Sequence, residues 1–193
     1  LSYYRQAGRG VSIQWLDLDE AQREGVAERL AYLAKPENAR YRYDYFTNNC
    51  ATQVRDVVDE ALSGQLQNKL GASSLGNTYR SETVRLAWPA RWMAIGFDLG
   101  LNAKADIALS RWQDAFIPMR LQQSLAEFEL ADGRPLVRET EILLADRRTP
   151  PPAELPQWSL AALGIGITLG GLFFYAGRKH PKAFNAMAVI YGG

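Results

Sequence analysis

Cys50 is the only cysteine in the 193-residue chain, and its surroundings are those in which a thiol can do chemistry. Before it runs Tyr41-Arg-Tyr-Asp-Tyr-Phe-Thr-Asn-Asn49, in which Tyr41, Tyr43 and Tyr45 alternate with Arg40, Arg42 and Asp44 in the period of a strand. After it, Ala51, Val54, Val57, Val58, Ala61 and Leu62 recur at helical spacing. The spacing predicts an aromatic strand that turns into an amphipathic helix at the thiol. A helix N-terminus carries unpaired N–H groups and a partial positive charge, which favour a thiolate and can hold a developing oxyanion. Cys50 is therefore a candidate nucleophile; the competing reading is a small packed hydrophobe. Four residues before Val54, it is expected on the buried edge of the helix. Arg55, Asp56, Asp59 and Glu60 fall outside the apolar stripe, with Arg55 spaced to pair with Asp59.

A thiol nucleophile needs a base, ordinarily histidine. The single histidine, His180, sits in the basic run Arg178-Lys-His-Pro-Lys182 and reads as a solvated loop residue. Either the base lies upstream of Leu1, or Cys50 is not catalytic. Near the thiol, Thr47, Asn48 and Asn49 offer side-chain oxygens to cap the helix, Tyr43 and Tyr45 read as wall or core residues rather than acid–base groups, and Asp44 is either a group that orients a base or an ordinary strand charge. Arg80 follows a Gly/Ser/Asn-rich stretch and is either a partner for an anion such as a lipid phosphate or a surface arginine. No metal-ligand cluster or phosphate-binding Gly-rich loop has the required spacing, so no metal and no cofactor are expected.

Several elements must position these groups. Val11, Ile13 and Trp15 alternate as a half-buried strand, and Val26, Leu30 and Leu33 mark a helix from a cap at Asp17 or Asp19 to about Ala34. Two further helices are predicted, from about Ser81 to Gly96 and from Ser110 or Trp112 to Phe128, the second interrupted at Pro118. Asp132-Gly133 between apolar runs predicts a short hairpin over 128–137. The fold class is α+β. Residues 1–148 read as a soluble domain, 149–157 as a proline-rich linker, and 158–177 as a charge-free, aromatic-flanked span long enough to cross a membrane. Gly166 and Gly170 form a small-residue ridge suited to a partner helix in the membrane. The basic run that follows places 178–193 on the cytoplasmic side, with a second span starting near Ala183, and the domain on the other side. With 22 basic against 21 acidic residues, nothing favours a nucleic-acid partner.

Several stretches together, Pro36-Glu-Asn38, Tyr41-Arg-Tyr-Asp-Tyr-Phe46, Asn49-Cys-Ala-Thr52 and Arg55-Asp56, resemble the N-terminal periplasmic domain of the lipoprotein N-acyltransferase (Lnb) family. Thr78-Tyr-Arg80, Gly96-Phe-Asp-Leu-Gly100, Asp106, Trp112 and Phe116-Ile-Pro118 extend the resemblance over most of residues 8 to 140. It implies a circularly permuted, NlpC-like papain fold, of which this chain is the C-terminal part, with Cys50 as nucleophile, its backbone N–H in the oxyanion site, and the histidine upstream. It also implies a bacterial inner-membrane protein whose domain faces the periplasm, acting on membrane lipid and a lipoprotein N-terminus. Family members often carry Asp and Arg where this chain has Asn48 and Gln53. The expected activity is a thiol acyltransferase; the alternatives are a cysteine peptidase or amidase and a non-catalytic membrane assembly module.

Overall fold

The computed structural model describes residues 1–155 and 159–179. The chain divides after Ala153, and its two parts are taken separately. A short helix, Ser2–Gln6 (α1), precedes strand Val11–Leu16 (β1), which pairs antiparallel with Val137–Leu144 (β4). At the start of β1 a side chain on Gly10 would meet Asp146 Cβ at 2.9 Å, so only glycine admits the returning chain there. Of the two candidate caps, Asp19 caps Glu20–Leu33 (α2), in a capping box with Gln22. This helix packs lightly on the next: Leu30 and Tyr32 stay exposed, and Arg29 reaches Glu60 at 3.0 Å.

Residues 41–47 are not a strand. Asp44 and Asn48 exchange two backbone hydrogen bonds across a tight turn, and Asp44 Oδ1 accepts from the N–H groups of Phe46 and Thr47 and from the Thr47 hydroxyl. A local Asx-type turn has captured the backbone that the alternating tyrosines assign to a ladder.

Cys50–Ala61 (α3) follows, then Ser63 and Gly64 at positive φ turn the chain into Gln65–Gly71 (α4). Ser74–Thr78 (β2) pairs with Ala108–Ser110 (β3) in a second two-stranded sheet within the polar stretch that gave no strand signal. The single helix expected over 81–96 is two, Tyr79–Ala87 (α5) and Arg91–Gly100 (α6). The break falls at Trp88-Pro89-Ala90, where proline lacks the N–H that would continue the ladder. A 3-10 turn, Ala103–Asp106, leads to β3 and then to Arg111–Asp114 (α7) and Pro118–Ala126 (α8), with Pro118 in the first turn of α8. The hairpin at Asp132-Gly133 forms through backbone bonds between Leu130 and Arg134 and from Leu136 to Phe128. Its outgoing arm runs on to become β4, a strand longer than the one expected.

The core joins α3, α4, α7, α8 and this hairpin. Ala51, Val58, Leu62, Leu66, Leu121, Leu125 and Leu136 are all buried in it. A smaller cluster of Leu109, Phe116 and Ile117 packs against Phe46 and Tyr79. Beyond Ala153, Ser159–Lys179 (α9) is a helix in which Leu160–Lys179 is long and apolar enough to cross a membrane. Trp158, His180 and the second span expected near 183–191 lie outside the described residues.

Candidate functional site

Asn49 is the knot of the site. Its Oδ1 accepts from the N–H groups of Ala51 and Thr52 at 2.8 and 3.0 Å, and the Thr52 hydroxyl accepts from the Asn49 N–H, closing a reciprocal cap on α3. Its Nδ2 donates to the carbonyls of Tyr45 and Phe116, both at 2.9 Å, so one buried side chain ties the turn, α3 and the entry to α8 together. Every donor and acceptor on its amide is in use, which fixes the backbone immediately before Cys50.

Cys50 is exposed, not on the buried edge of α3, and Val54 one turn on is also outward. Both line an open groove of about 380 Å³ between β1, α3 and α8, walled by Ala51, Leu121 and Leu125 and edged by Ser12, Gln14 and Gln122. The apolar stripe of α3 is thus wider than its core contact, and its surplus forms a groove wall. Gln14 Nε2 donates to the Gln122 carbonyl and Gln122 Nε2 to Ser12 Oγ, each at 3.0 Å, which locks β1 to α8 beside the thiol. Sequence reasoning missed these residues, because a glutamine on the polar phase of a strand carries no signal until its partner is known. With the N–H groups of Ala51 and Thr52 held by Asn49, the N–H of Cys50 makes no hydrogen bond to the described residues. It is the first-turn donor left over for a ligand.

Asn48 and Gln53 meet beside the thiol-bearing turn: Gln53 Nε2 donates to Asn48 Oδ1 at 2.7 Å.

The remaining residues singled out in the sequence do not converge on the groove. Asp44 closes its turn, and the Thr47 N–H and hydroxyl with the Phe46 N–H hold its carboxyl below the usual range. Tyr45 lies edge-on to Phe46 and Phe116, Tyr43 is outward beside Tyr41, and neither lines the groove. Arg80 is a staple, not an open anion site: it pairs with Asp106 at 2.6 Å and donates to the carbonyls of Asp98, Leu101 and Asn102, closing the end of α6 onto α5. Arg55, expected outside the stripe and paired with Asp59, is buried. It lies 3.8 Å over the Trp112 ring, donates to the Trp112 carbonyl and takes Asp56 as its ion partner, while Asp59 accepts from the Gln67 N–H at the start of α4.

A second group of charges was not foreseen. Glu82 is buried with Arg85 at 2.6 Å and Arg120 at 3.1 Å, and Arg120 also faces Asp114 at 3.6 Å. Asp114 Oδ2 accepts from Asn77, whereas Oδ1 is buried with no partner among the described residues. Burial, with Glu82 adding, pushes the Asp114 carboxyl up despite the Asn77 bond. For Glu82 burial also acts upward, and the bonds from Arg85 and Arg120 outweigh it, leaving that carboxyl below its usual value.

Together these features define an exposed thiol at a capped helix N-terminus, set in an apolar groove on a mixed helix-and-strand scaffold. Residues 1–88 match the family model described as Lnb N-terminal periplasmic domain, a span that holds β1, α3 and α5 and ends before α6, less than half of the chain. No curated protein matches the chain. No solved structure matches it either.

Proposed function

We propose that this chain is the Cys50-bearing part of a membrane-anchored periplasmic thiol acyltransferase with a permuted papain-like plan. The observation that carries the reading is the exposed Cys50 with its own unengaged N–H at the head of α3, in a groove walled by Val54, Leu121 and Leu125. The sulfur attacks the carbonyl of a lipid ester, the Cys50 N–H steadies the oxyanion, and the alcohol leaves with a proton as the thioester forms. An amine such as a lipoprotein N-terminus then attacks the thioester, its proton passes to a base, and the thiol is regenerated as the amide forms. None of the residues lining the groove is a base, so that role is assigned to a group that does not line it. The match of residues 1–88 to a periplasmic domain family supports the compartment, and the apolar α9 supports an inner-membrane anchor, with Gly166 and Gly170 as its face for another helix.

The test is a Cys50→Ser variant of the full-length protein incubated with labelled phospholipid. The wild type is expected to trap a hydroxylamine-sensitive acyl adduct that the variant lacks. An adduct and activity that survive the substitution refute the mechanism. Release of free acid or peptide in place of an amide product marks a hydrolase on the same site.

A further inference from the structure

The sides of the Cys50 groove differ in kind. Pro118, Leu121 and Leu125 of α8 fall at i, i+3 and i+7, one face of that helix, and all three line it. Leu121 and Leu125 are 5% and 6% exposed and form its floor, whereas Val54 of α3 is 55% exposed and stands at its open side. The stripe from Pro118 to Leu125 runs along about 10 Å of helix. Ser12 and Gln14 of β1 make a polar edge. Two amide donors there are spent on holding β1 to α8, Gln14 on the Gln122 carbonyl and Gln122 on Ser12 Oγ. Among the described residues that line the groove, none carries a charge.

That lack of charge indicates what the groove takes. A phosphate headgroup or a protonated amine would lie against these walls with its charge unpaired, at a high desolvation cost. A hydrocarbon chain asks only for apolar surface. Its starting point is fixed as well, because Cys50 itself lines the groove, so an acyl group on the sulfur begins there. A volume of about 380 Å³ is at the lower end for ligand sites, which is room for one chain rather than for a whole phospholipid. On the sheet, Ile142 of β4 stands opposite Ser12, hence on the same face, and is 72% exposed. Apolar surface therefore continues past the groove for a longer chain.

We propose that the groove holds the hydrocarbon chain of the acyl group carried on Cys50, and that Val54, Leu121 and Leu125 select acyl donors by chain length, with headgroup and acceptor amine outside it. This rests on the thiol acyltransferase reading above and says which part of the lipid the site recognises. The selection acts on thioester formation, because a seated chain brings its carbonyl to the sulfur and to the Cys50 N–H.

The test uses the full chain in detergent micelles, with p-nitrophenyl esters of acetic, butyric, hexanoic and octanoic acid as donors. These activated esters acylate a thiolate without help from a base. The sulfur bonds to the acyl carbon, the ester C–O bond breaks, and p-nitrophenol leaves with the thiol's proton. Intact-protein mass spectrometry follows the acyl group, with Cys50→Ser as the blank. A fully buried methylene accelerates the step by up to about fourfold. Val54→Asp is expected to lower the octanoyl-to-acetyl rate ratio by about tenfold, and Val54→Thr to lower it by less. Taking the ratio within each protein removes the effect of a new carboxylate on the thiol, and using the same micelles removes ester partitioning. The side chain at 54 is outward, so both variants keep the fold, which circular dichroism checks. A ratio equal in wild type and variants, on protein whose Cys50 is acylated, overturns the chain groove and leaves the thiol reading standing. Acetyl transfer slowed by trileucine amide but not by octanol marks a peptide groove and also overturns it. A Cys50 that takes no acyl group from any of the four esters overturns the thiol reading, and the chain groove with it.

Discussion

At Asn49 the helix-capping rule and the surrounding packing make different forecasts. By capping alone, Asp and Ser serve about as well as Asn. Here Nδ2 also satisfies two carbonyls, of Tyr45 and Phe116, that no other described donor reaches. Asn49→Ser therefore keeps the cap but strands those carbonyls, at a cost of about 2 kcal/mol. Asn49→Asp keeps the cap and sets a carboxylate against them, so it should be the worse of the two. Thermal melts settle the order; an Asp variant as stable as wild type would mean that capping is all Asn49 does. The buried Asp114 makes a second forecast. Its carboxyl is raised in the folded protein, so between the ordinary value of 3.8 and the raised one the folded state holds the proton more firmly and stability from this group falls as pH rises. Glu82 acts in the opposite sense and lower in the scale: its contribution is full above its ordinary value of 4.5 and is lost as pH falls through its depressed one. Asp114→Asn removes the first effect only. Its thermal midpoint relative to wild type is expected to improve as pH rises above 3.8, the ordinary value, through the raised one, and a parallel pair of profiles would refute the shift.

At the scale of elements, the features legible in the sequence were those set by neighbours along the chain. Asn49 as cap of α3, Asp19 as cap of α2, Pro118 at the head of α8 and the Asp132-Gly133 turn all follow from side chains acting within four residues of themselves. What was hidden depends on partners far away. Arg55 is polar on a helical wheel, yet a guanidinium stacked on Trp112 and bonded to its carbonyl and to Asp56 can be buried, and no residue near it in sequence announces Trp112. Val54 is apolar yet outward because it serves the groove. The tyrosines of 41–45 alternate, but a ladder needs a second strand, and Asp44 offered the backbone a nearer set of bonds. Arg55 thereby becomes the fastening of α3 to α7. Arg55→Lys keeps the charge and loses both the planar stack and the forked bonding, so it should lower stability by about 2 kcal/mol. A urea titration should show the midpoint moved with its slope unchanged, and a lysine variant with the wild-type midpoint would mean that the stack contributes nothing.

For the molecule as a whole, where the first compact unit ends is a question of packing more than of composition. The proline-rich run beginning at Thr149 reads as linker, yet the chain divides after Ala153, and Pro152 is held by a side chain that belongs to the buried charge group. Arg85 has Nε and Nη2 on Glu82, and its Nη1 is spent on the Pro152 carbonyl. A cut after Arg148 would leave that Nη1 without its acceptor in a place where water has little access. Charge-assisted bonds of this kind contribute about 1.5–3 kcal/mol. In a domain of this size each kcal/mol moves the thermal midpoint by about 2–4 °C. The fragment 1–153 should therefore melt several degrees above the fragment 1–148. In 1–153, Arg85→Gln should bring the two closer together, because the acceptor at Pro152 then has no cation to receive. Equal midpoints for the two fragments would show that residues 149–153 are linker after all, and that the outgoing chain is not tethered at α5.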